Sequence, residues 1–400
     1  MTISGNTLTS IGSKAFENAA LLADVYAEPT TAPAVQADSF SGAGTSVQGS
    51  KTFHVASVEA YSSWTTAASG YTMEALGPDY LSEGLYYRAS GEDPWKSEIP
   101  QTFTTLYVKT AGDNTVMTAE QMKAVADAVK ALATPATVDF SEVVYESETF
   151  PNSFKSNANL AGIVFPQNVT KTASAAFQKT GMTSVTLLKG ISYGSNAFDS
   201  CASLVSVTVE EGVTEIGNYM FQNTKLTDVT LPNSVTKIGA SAFNGCSLTT
   251  INFGQGVKTI ENSAFQNCGE LTEIILPDAT ETLGQNAFGD CPKLAKISLG
   301  KNMKTLEAYC FVGYSKGCPL LGDIICRATT PPTLKDDYGT GPFGGGWSPV
   351  AGKDVPAENR IIHLPKSADL VGGTGAYADS SWVKLTSSTY GFAFKYDVEG

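Results

Sequence analysis

Seven cysteines are the side chains of this sequence best suited to metal binding or nucleophilic chemistry. Four of them lie three residues after a phenylalanine of a regular series: Cys201, Cys246, Cys268 and Cys291. Thr180 and Thr224 occupy the same place elsewhere, which indicates a small buried side chain and not a ligand. A zinc site would need close Cys-x₂₋₄-Cys pairs, and the sequence has none. Cys310, Cys318 and Cys326 lie outside the series and leave one disulfide among them open.

Two histidines, His54 and His363, are the only source of imidazole chemistry. They occupy equivalent places in two similar segments, so duplication of a structural position explains them better than catalysis. No Gly-x-Ser-x-Gly nucleophile elbow accompanies them. A Gly-x-Gly-x-x-Gly match begins at Gly339, but Pro342 and the glycines that follow prevent the helix start that a phosphate cradle needs. We therefore expect no catalytic residue and no cofactor.

Paired acids complete the inventory of reactive side chains. Glu210-Glu211 and Asp336-Asp337 fall at turn or loop positions, where solvated charge is the usual role. A weak calcium contact at the second pair is the one metal role left open. We predict no metal site.

The composition narrows the class of protein. Of 400 residues, 42% are hydrophobic and only 16% are charged, which favours a loop-rich β protein over a disordered chain or a coiled coil. The net charge of −13 predicts repulsion from phosphate backbones and anionic lipid, so we expect no nucleic-acid partner. No stretch reaches the roughly 18 apolar residues of a membrane span, so we expect no direct membrane insertion. The first residues show no export signal, which indicates an intracellular protein or a chain without its original start.

A repeat of 21 to 23 residues organises the elements that carry these side chains. Eight phenylalanines mark it: Phe154, Phe177, Phe198, Phe221, Phe243, Phe265, Phe288 and Phe311. Each repeat reads Leu-x-x-Val/Ile-x-Leu, a turn, Val-x-x-Ile, and then Ala-Phe with a small residue. The alternation at Val229-x-Leu231 predicts a short strand with one buried face. Because one repeat cannot bury its own apolar edge, we expect the repeats to stack at the strand spacing of about 4.8 Å.

The two halves of this pattern, occurring together at this period, resemble the BspA-like leucine-rich repeats of bacterial surface proteins. The resemblance covers residues 160–310. It implies a β-rich leucine-rich-repeat solenoid with minor helix content. It also implies a non-enzymatic, secreted or cell-surface protein that binds extracellular or host proteins or other cells, because solenoids offer extended faces for that purpose.

The flanks of the repeats predict the domain organisation. Thr118-Ala-Glu-Gln121 is a capping box for a helix with Met122, Val125, Val129 and Leu132 on one face, and this helix should cap the stack. Leu21-Leu22-Ala-Asp precedes His54 as Leu320-Leu321-Gly-Asp precedes His363, so the first residues resemble the closing segment. We predict five parts: a partial closing unit (1–70), a connector (71–103), a cap with one helix (104–137), regular repeats (138–319), and degenerate repeats with a cap (320–400).

The predicted binding surface is the concave face of the repeat sheet. Side chains that alternate with the buried strand positions should point outward there: Ser184, Thr186, Ser206, Thr208, Asp228, Thr230, Thr250, Asn252, Glu273, Ile275, Lys296 and Ser298. These are mostly small and polar, so a solvated strand face is an equally good interpretation.

Two other functions remain open. The first is a structural part of a surface layer, fimbria or viral particle, or an oligomer, formed through an uncapped edge at residues 1–20. The second is a carbohydrate-binding module that uses the aromatic connector. Aromatic residues are densest in residues 71–107 and in the terminal units, so an aromatic contact site would lie among them: Tyr86, Tyr87, Trp95, Trp347, Tyr377 and Trp382.

Overall fold

A computed structural model of the chain describes the following residues: 2–3, 10–11, 15–16, 24–27, 34–35, 52–55, 71–75, 84–111, 115–312, 315–336, 341–344, 351–366, 377, 380–387 and 390–399. They divide into two compact units. The first comprises Met1–Pro100 and Val108–Val116, and the second comprises Gln101–Tyr107 and Met117–Gly400.

The first unit contains a parallel four-stranded sheet. Its strands, in spatial order, are Thr2–Ile3, Asp24–Ala27, Thr52–Val55 and Thr72–Ala75. A second parallel pair joins Ser10–Ile11 to Ala34–Val35, and the strand Gly84–Arg88 follows. Phe53 is fully buried, and its ring lies 4.7 Å from that of Tyr71.

The second unit includes the helix Ala119–Ala131, which the capping box starts as predicted. The backbone N–H of Gln121 donates to Oγ1 of Thr118 at 3.3 Å, and the N–H of Thr118 donates to Oε1 of Gln121 at 2.8 Å. The buried face contains Met122 and Val125 among others. The side-chain amide of the buried Asn157 donates to the carbonyl of Ala126 at 2.8 Å, which ties the helix to the first repeat.

Behind the helix the second unit is a β-solenoid, as predicted, in which most repeats contribute one longer and one shorter strand. We call the longer set the front strands: Ala136–Glu142, Leu160–Val164, Ser184–Leu187, Ser206–Val209, Asp228–Thr230, Thr250–Asn252, Glu273–Ile275, Lys296–Leu299, Asp323–Cys326, Ile361–Pro365 and Ala393–Val398. The strand Thr105–Ala111 precedes them. The shorter set forms the back strands: Thr149–Phe150, Lys171–Thr172, Glu215–Ile216, Lys237–Ile238, Thr259–Ile260, Thr282–Leu283, Thr305–Leu306 and Thr333–Leu334.

All recorded pairings between neighbouring front strands, and between neighbouring back strands, are parallel. The final five front strands, from Glu273–Ile275 onward, form one sheet, and six back strands from Glu215–Ile216 onward form another. Two 3₁₀ helices, Ala357–Asn359 and Ser381–Thr386, lie near the end of the chain.

The repeat phenylalanines stack through the core. Ring centroids from Phe177 to Phe311 follow one another at 5.2 to 6.3 Å, with nearly parallel planes. Phe343 continues the stack 5.1 Å beyond Phe311 and so takes the place of a further repeat ring. At the other end Phe150 stands between Phe154 and Phe177, at 5.9 and 5.5 Å. Burying each ring stabilises the fold by roughly 1.5–3 kcal/mol.

Two residues with left-handed backbone bracket most of these rings, one two positions before and one two positions after. Around Phe177 they are Ala175 at φ 60° and Lys179 at φ 58°. Equivalent pairs flank the following rings, from Phe198 to Phe288: Asn196 and Ser200, Tyr219 and Asn223, Ser241 and Gly245, Ser263 and Asn267, Asn286 and Asp290. This conformation is unfavourable for residues with a Cβ, so the close stacking of turns must offset its cost.

The first unit and the end of the second share a strand arrangement. Thr52–Val55 pairs with Asp24–Ala27 and Thr72–Ala75, as Ile361–Pro365 pairs with Asp323–Cys326 and Ala393–Val398. His54 and His363 each occupy the third position of the middle strand. Of residues 1–20, where an open edge is predicted, the structure describes 2–3, 10–11 and 15–16, and Leu21 and Leu22 lie outside the described residues.

Candidate functional site

The twelve residues of the predicted binding surface lie on six front strands, in two rows. Register places Ser184 beside Ser206, Asp228 beside Thr250, and Glu273 beside Lys296 in the first row. In the second row Thr186 lies beside Thr208, Thr230 beside Asn252, and Ile275 beside Ser298. We call these two rows the front face.

Ten of the twelve side chains are exposed, and two depart from the expectation. Lys296 is half-buried, and Ser298 is only 8% exposed. Ser298 lies in register between Ile275 and Ile325, and these two larger side chains on its neighbouring strands account for its burial. The prediction that Ser298 points into open solvent is wrong, because it was based on alternation alone and ignored the neighbours across the sheet.

Charged side chains follow the first row of the front face. Nζ of Lys296 lies 3.4 Å from Glu273 and 3.9 Å from Asp323. Nε2 of His363 lies 3.4 Å from the same Asp323, and its Nδ1 lies 2.8 Å from Asp397. His363 therefore belongs to a row of alternating acidic and basic groups across the sheet, and no nucleophile is among its recorded partners.

Asp228 is the anionic group in the middle of the front face. Its carboxylate accepts hydrogen bonds from the hydroxyls of Thr250 at 2.8 Å, Thr227 at 2.9 Å and Thr249 at 3.3 Å. These bonds, that from Thr250 above all, hold the pKa of Asp228 below its usual value. The group is ionised at neutral pH and presents a fixed negative charge.

An apolar spot lies next to these charges. Ile275 is 59% exposed, more than any other large apolar side chain among the described residues. Beside it is an open hollow of about 390 Å³ with Asn252 and Arg327 in its lining. The guanidinium of Arg327 is held by the carbonyl of Leu276 at 2.9 Å and by Asp278 at 3.1 Å. The front face thus combines one exposed apolar side chain with positioned polar groups.

Two of the aromatic residues outside the regular repeats belong to the core. Tyr377 and Trp382 are fully buried, and their polar atoms donate to the carbonyls of Ala328 and Pro332, both at 2.7 Å. The prediction that these two residues contribute to a contact site is therefore wrong, because their rings belong to the core.

The remaining aromatic residues belong to the first unit, apart from one outside the described part. Tyr87 is only 6% exposed. The cationic groups of Arg88 and Lys109 lie 4.3 and 5.6 Å from the ring centre of Trp95. Cationic side chains thus lie against the Trp95 ring, on which a sugar would need to stack. Trp347 lies outside the described residues.

All seven cysteines are described, buried and unpaired, so the disulfide left open by the sequence is absent. The thiols of Cys201, Cys246, Cys268 and Cys291 donate to the carbonyl of a repeat phenylalanine at 3.0 to 3.3 Å. Cys318 does the same to Phe288 at 3.2 Å, so it belongs to the series from which its sequence position excluded it. Burial raises the pKa of Cys246 to about 11, so this thiol is protonated and not nucleophilic at neutral pH.

The acidic side chains and the glycine motif bear on metal and phosphate binding. Within the part of the chain that the structure describes, no cluster of three or more His, Cys, Asp or Glu side chains could hold a metal ion. Asp336 is described and Asp337 is not. The described end of the glycine motif, 341–344, forms a turn closed by a bridge between Gly341 and Gly344, and no helix starts there.

One feature of the front strands was not predicted. The strand Leu160–Val164 pairs with Ala136–Glu142, and Ser184–Leu187 pairs with Ser206–Val209, but these two pairs do not join. An open cleft of about 520 Å³ lies between them. The sequence signal was Tyr193, which follows Ser192 where other repeats have a polar residue followed by Ile or Leu.

The stacked phenylalanines, the two strands per repeat and the 21 to 23 residue period agree with a family model. A model described as the BspA type leucine rich repeat region matches residues 138–193 and 191–317, with six copies. Residues 138–317 are a BspA-type leucine-rich-repeat region. The two matches of this BspA-type region meet at residues 191–193, where the cleft interrupts the front strands.

Solved structures similar to this chain come from several bacteria. A leucine rich cell surface protein from Faecalibacterium prausnitzii is 19% identical, with 80% of this chain and 77% of that one covered and a TM-score of 0.36. The pneumococcal vaccine antigen PcpA is 17% identical, with 74% and 96% covered and a TM-score of 0.32. A leucine-rich repeat protein from Eubacterium ventriosum is 17% identical, with 81% and 82% covered and a TM-score of 0.33.

No curated protein matches the sequence. Among the described residues, every helix is too short or too polar to cross a lipid bilayer.

Proposed function

We propose that the chain is a non-enzymatic repeat protein, secreted or held at the cell surface, that binds another protein through the front face. The observation that supports this most is Ile275, exposed by 59% among ordered charged and polar groups. An apolar anchor surrounded by polar groups is the usual composition of a protein contact surface. Leucine-rich-repeat proteins generally bind proteins through their extended faces and are generally non-enzymatic.

The charges of the front face favour a protein partner over an anionic polymer. Asp228 and Glu273 are exposed carboxylates, and the whole chain carries a net charge of −13. A polyanion would be repelled, whereas a protein surface with apolar and basic side chains would complement Ile275 and these carboxylates.

Binding of the full chain to an array of purified extracellular matrix proteins tests this proposal. Ile275→Arg should weaken binding at least about tenfold because it places a charge where the apolar anchor docks. Leu320→Arg is the matched control, since Leu320 is also exposed, by 43%, but lies outside the front strands. Equal binding by both variants, or binding to a glycan array and to no protein, would contradict the proposal.

The surface location needs its own measurement. Protease added to intact cells that produce the chain should cleave it while a cytosolic marker stays whole. Protection equal to that of the marker would contradict a surface role.

A further inference from the structure

The open cleft between the strands Leu160–Val164 and Ser184–Leu187 is a wedge that is closed on two sides. At the amino-terminal ends of the strands, the N–H of Gly181 donates to the carbonyl of Asn157 at 3.3 Å. A Cβ on Gly181 would lie 1.9 Å from the carbonyl oxygen of Ala158, so the two turns touch there. On the back side, Lys171 bridges to Ser192. The turns therefore separate only toward the front.

Tyr193 accounts for the separation. It stands five residues before Phe198, where Ile216 and Ile238 stand before the next two repeat phenylalanines, so an aromatic ring replaces an aliphatic side chain there. The Tyr193 ring packs 5.9 Å from that of Phe198 and 6.3 Å from that of Phe165. The Tyr193 ring therefore lies between the two turns and holds their front strands apart.

The edge of Ser184–Leu187 that faces the cleft has unused backbone groups. The backbone carbonyls of Thr183 and Leu187 accept hydrogen bonds from the N–H groups of Val205 and Glu210. The backbone polar groups of the odd-numbered residues therefore point toward the next strand. The backbone N–H and C=O groups of Ser184 and Thr186 alternate with these and must point into the cleft. The N–H groups of Ser184 and Thr186 and the carbonyl of Ser184 have no partner among the described residues.

The Tyr193 hydroxyl already binds this edge where a strand would. It accepts from the N–H of Leu188 at 3.1 Å and donates to the carbonyl of Thr186 at 3.4 Å. The same edge in the next repeat, at Ser206 and Thr208, is covered by a paired strand. The unpaired backbone groups of Ser184 and Thr186 thus have the spacing that a neighbouring strand needs for pairing.

The lining of the cleft specifies the side chains of an occupant. It contains Phe165, Phe177, Phe198 and Met182 with small polar residues, and no charged residue. Phe165 is half-buried, whereas Leu187 and Leu231 at the equivalent repeat positions are buried. A charged side chain placed there would lose its water without gaining a partner, so the lining selects uncharged apolar groups.

We propose that this cleft binds an extended, uncharged peptide segment of a partner protein. The segment adds as a strand to the unpaired backbone groups of Ser184 and Thr186 and directs apolar side chains onto the half-buried ring of Phe165. Four residues of an extended chain match the length of this edge. The inference rests on the proposed protein-binding function and names the part of the front face, and the kind of ligand, that it uses.

A displayed library of linear ten-residue peptides, selected on the full chain, provides the probe. The selected peptides should be poor in charged residues. Thr186→Arg should weaken their binding at least about tenfold in a fluorescence anisotropy titration, because it blocks the mouth of the cleft. Thr214→Arg is the matched control, since Thr214 is also an exposed threonine but lies outside the front strands and the lining of the cleft.

A second measurement leaves the protein unchanged. Methylation of alternate backbone nitrogens of a selected peptide removes the donors that strand addition needs, so its affinity should fall at least about tenfold. Failure to select any peptide, equal binding by Thr186→Arg and the control, or retained affinity of the methylated peptide would each overturn the inference.

The two proposals fail separately. Suppose that Thr186→Arg abolishes peptide binding but no matrix protein binds less well to Ile275→Arg. This result would contradict protein binding at Ile275 and support the proposal for the cleft. If a matrix protein responds to Ile275→Arg and no peptide binding is lost in Thr186→Arg, only the proposal for the cleft is contradicted.

Discussion

The phenylalanine of each repeat is the residue on which core packing depends most. Phe243 is fully buried, with ring neighbours Phe221 at 5.5 Å and Phe265 at 5.2 Å. Thr230 lies on the front face and is exposed. The two residues therefore differ in the apolar surface that folding removes from water.

Replacement of this ring tests the assignment of inside and outside. Phe243→Ala should lower the free energy of unfolding by about 3–5 kcal/mol because it leaves a cavity between two rings. Thr230→Ala should change it by less than about 0.5 kcal/mol. Chemical denaturation followed by circular dichroism measures both, and equal midpoints would show that the assignment is wrong.

Cysteine burial predicts a loss of stability at alkaline pH. The pKa of Cys246 rises from 9.0 to about 11 on folding because the thiol is buried. Its stabilising contribution is therefore complete below pH 9 and disappears as the pH rises through about 11, since the unfolded chain ionises first. Denaturation midpoints measured between pH 8 and 11 should fall.

Cys246→Thr is the control for this effect. Thr224 fills the equivalent position one repeat earlier, so threonine fits the site and does not titrate. The variant should lose less stability than the parent across the same pH range. Parallel curves would contradict the assignment to this thiol.

At the scale of elements, the helix and the strands differ in how their start is encoded. Thr118 and Gln121 specify the first turn of the helix by reciprocal hydrogen bonds, and the sequence predicted them. Strand starts have no such local signal. Their position follows from the buried residue of the neighbouring strand, as Val229 pairs with Ile251.

The helix cap can be tested by substitution. Thr118→Ala should cost about 0.5–2 kcal/mol because a backbone donor of the first turn loses its acceptor. Thr118→Asp restores an acceptor and should recover most of that loss. Thermal unfolding compares the three proteins, and an equal melting temperature for Ala and Asp would refute the capping role.

Local periodicity and tertiary contacts explain which features could be predicted. The phenylalanine period and the alternation at Val229 and Leu231 are local, so they predicted the stack and most of the front face. Burial of Ser298 depends on Ile275 and Ile325 in other repeats. The cleft depends on how Tyr193 packs between turns, and no spacing rule in one repeat contains that information.

At the scale of the whole molecule, each turn of the solenoid contacts mainly its neighbours, so damage should spread locally. Gly256 is a position where this can be seen, because a Cβ there would lie 2.0 Å from the carbonyl oxygen of Asn233 in the preceding turn. Gly269 is the matched position where a Cβ would meet nothing within 4 Å.

Hydrogen exchange on the two alanine variants measures the range of this effect. Gly256→Ala should increase amide exchange in Asp228–Thr230 and Thr250–Asn252 and leave Ile361–Pro365 near its parent rate. Gly269→Ala should match the parent throughout. Uniform loss of protection across all these strands would show that the array unfolds as one cooperative unit.

The residues in left-handed conformation have a consequence for protein engineering. Lys179 and Tyr219 adopt a backbone that asparagine tolerates better, and equivalent positions recur along the array. Small gains at such distant sites add almost independently. Asparagine at successive left-handed positions would therefore relieve the same steric penalty in each repeat and raise heat resistance stepwise with the number of substitutions.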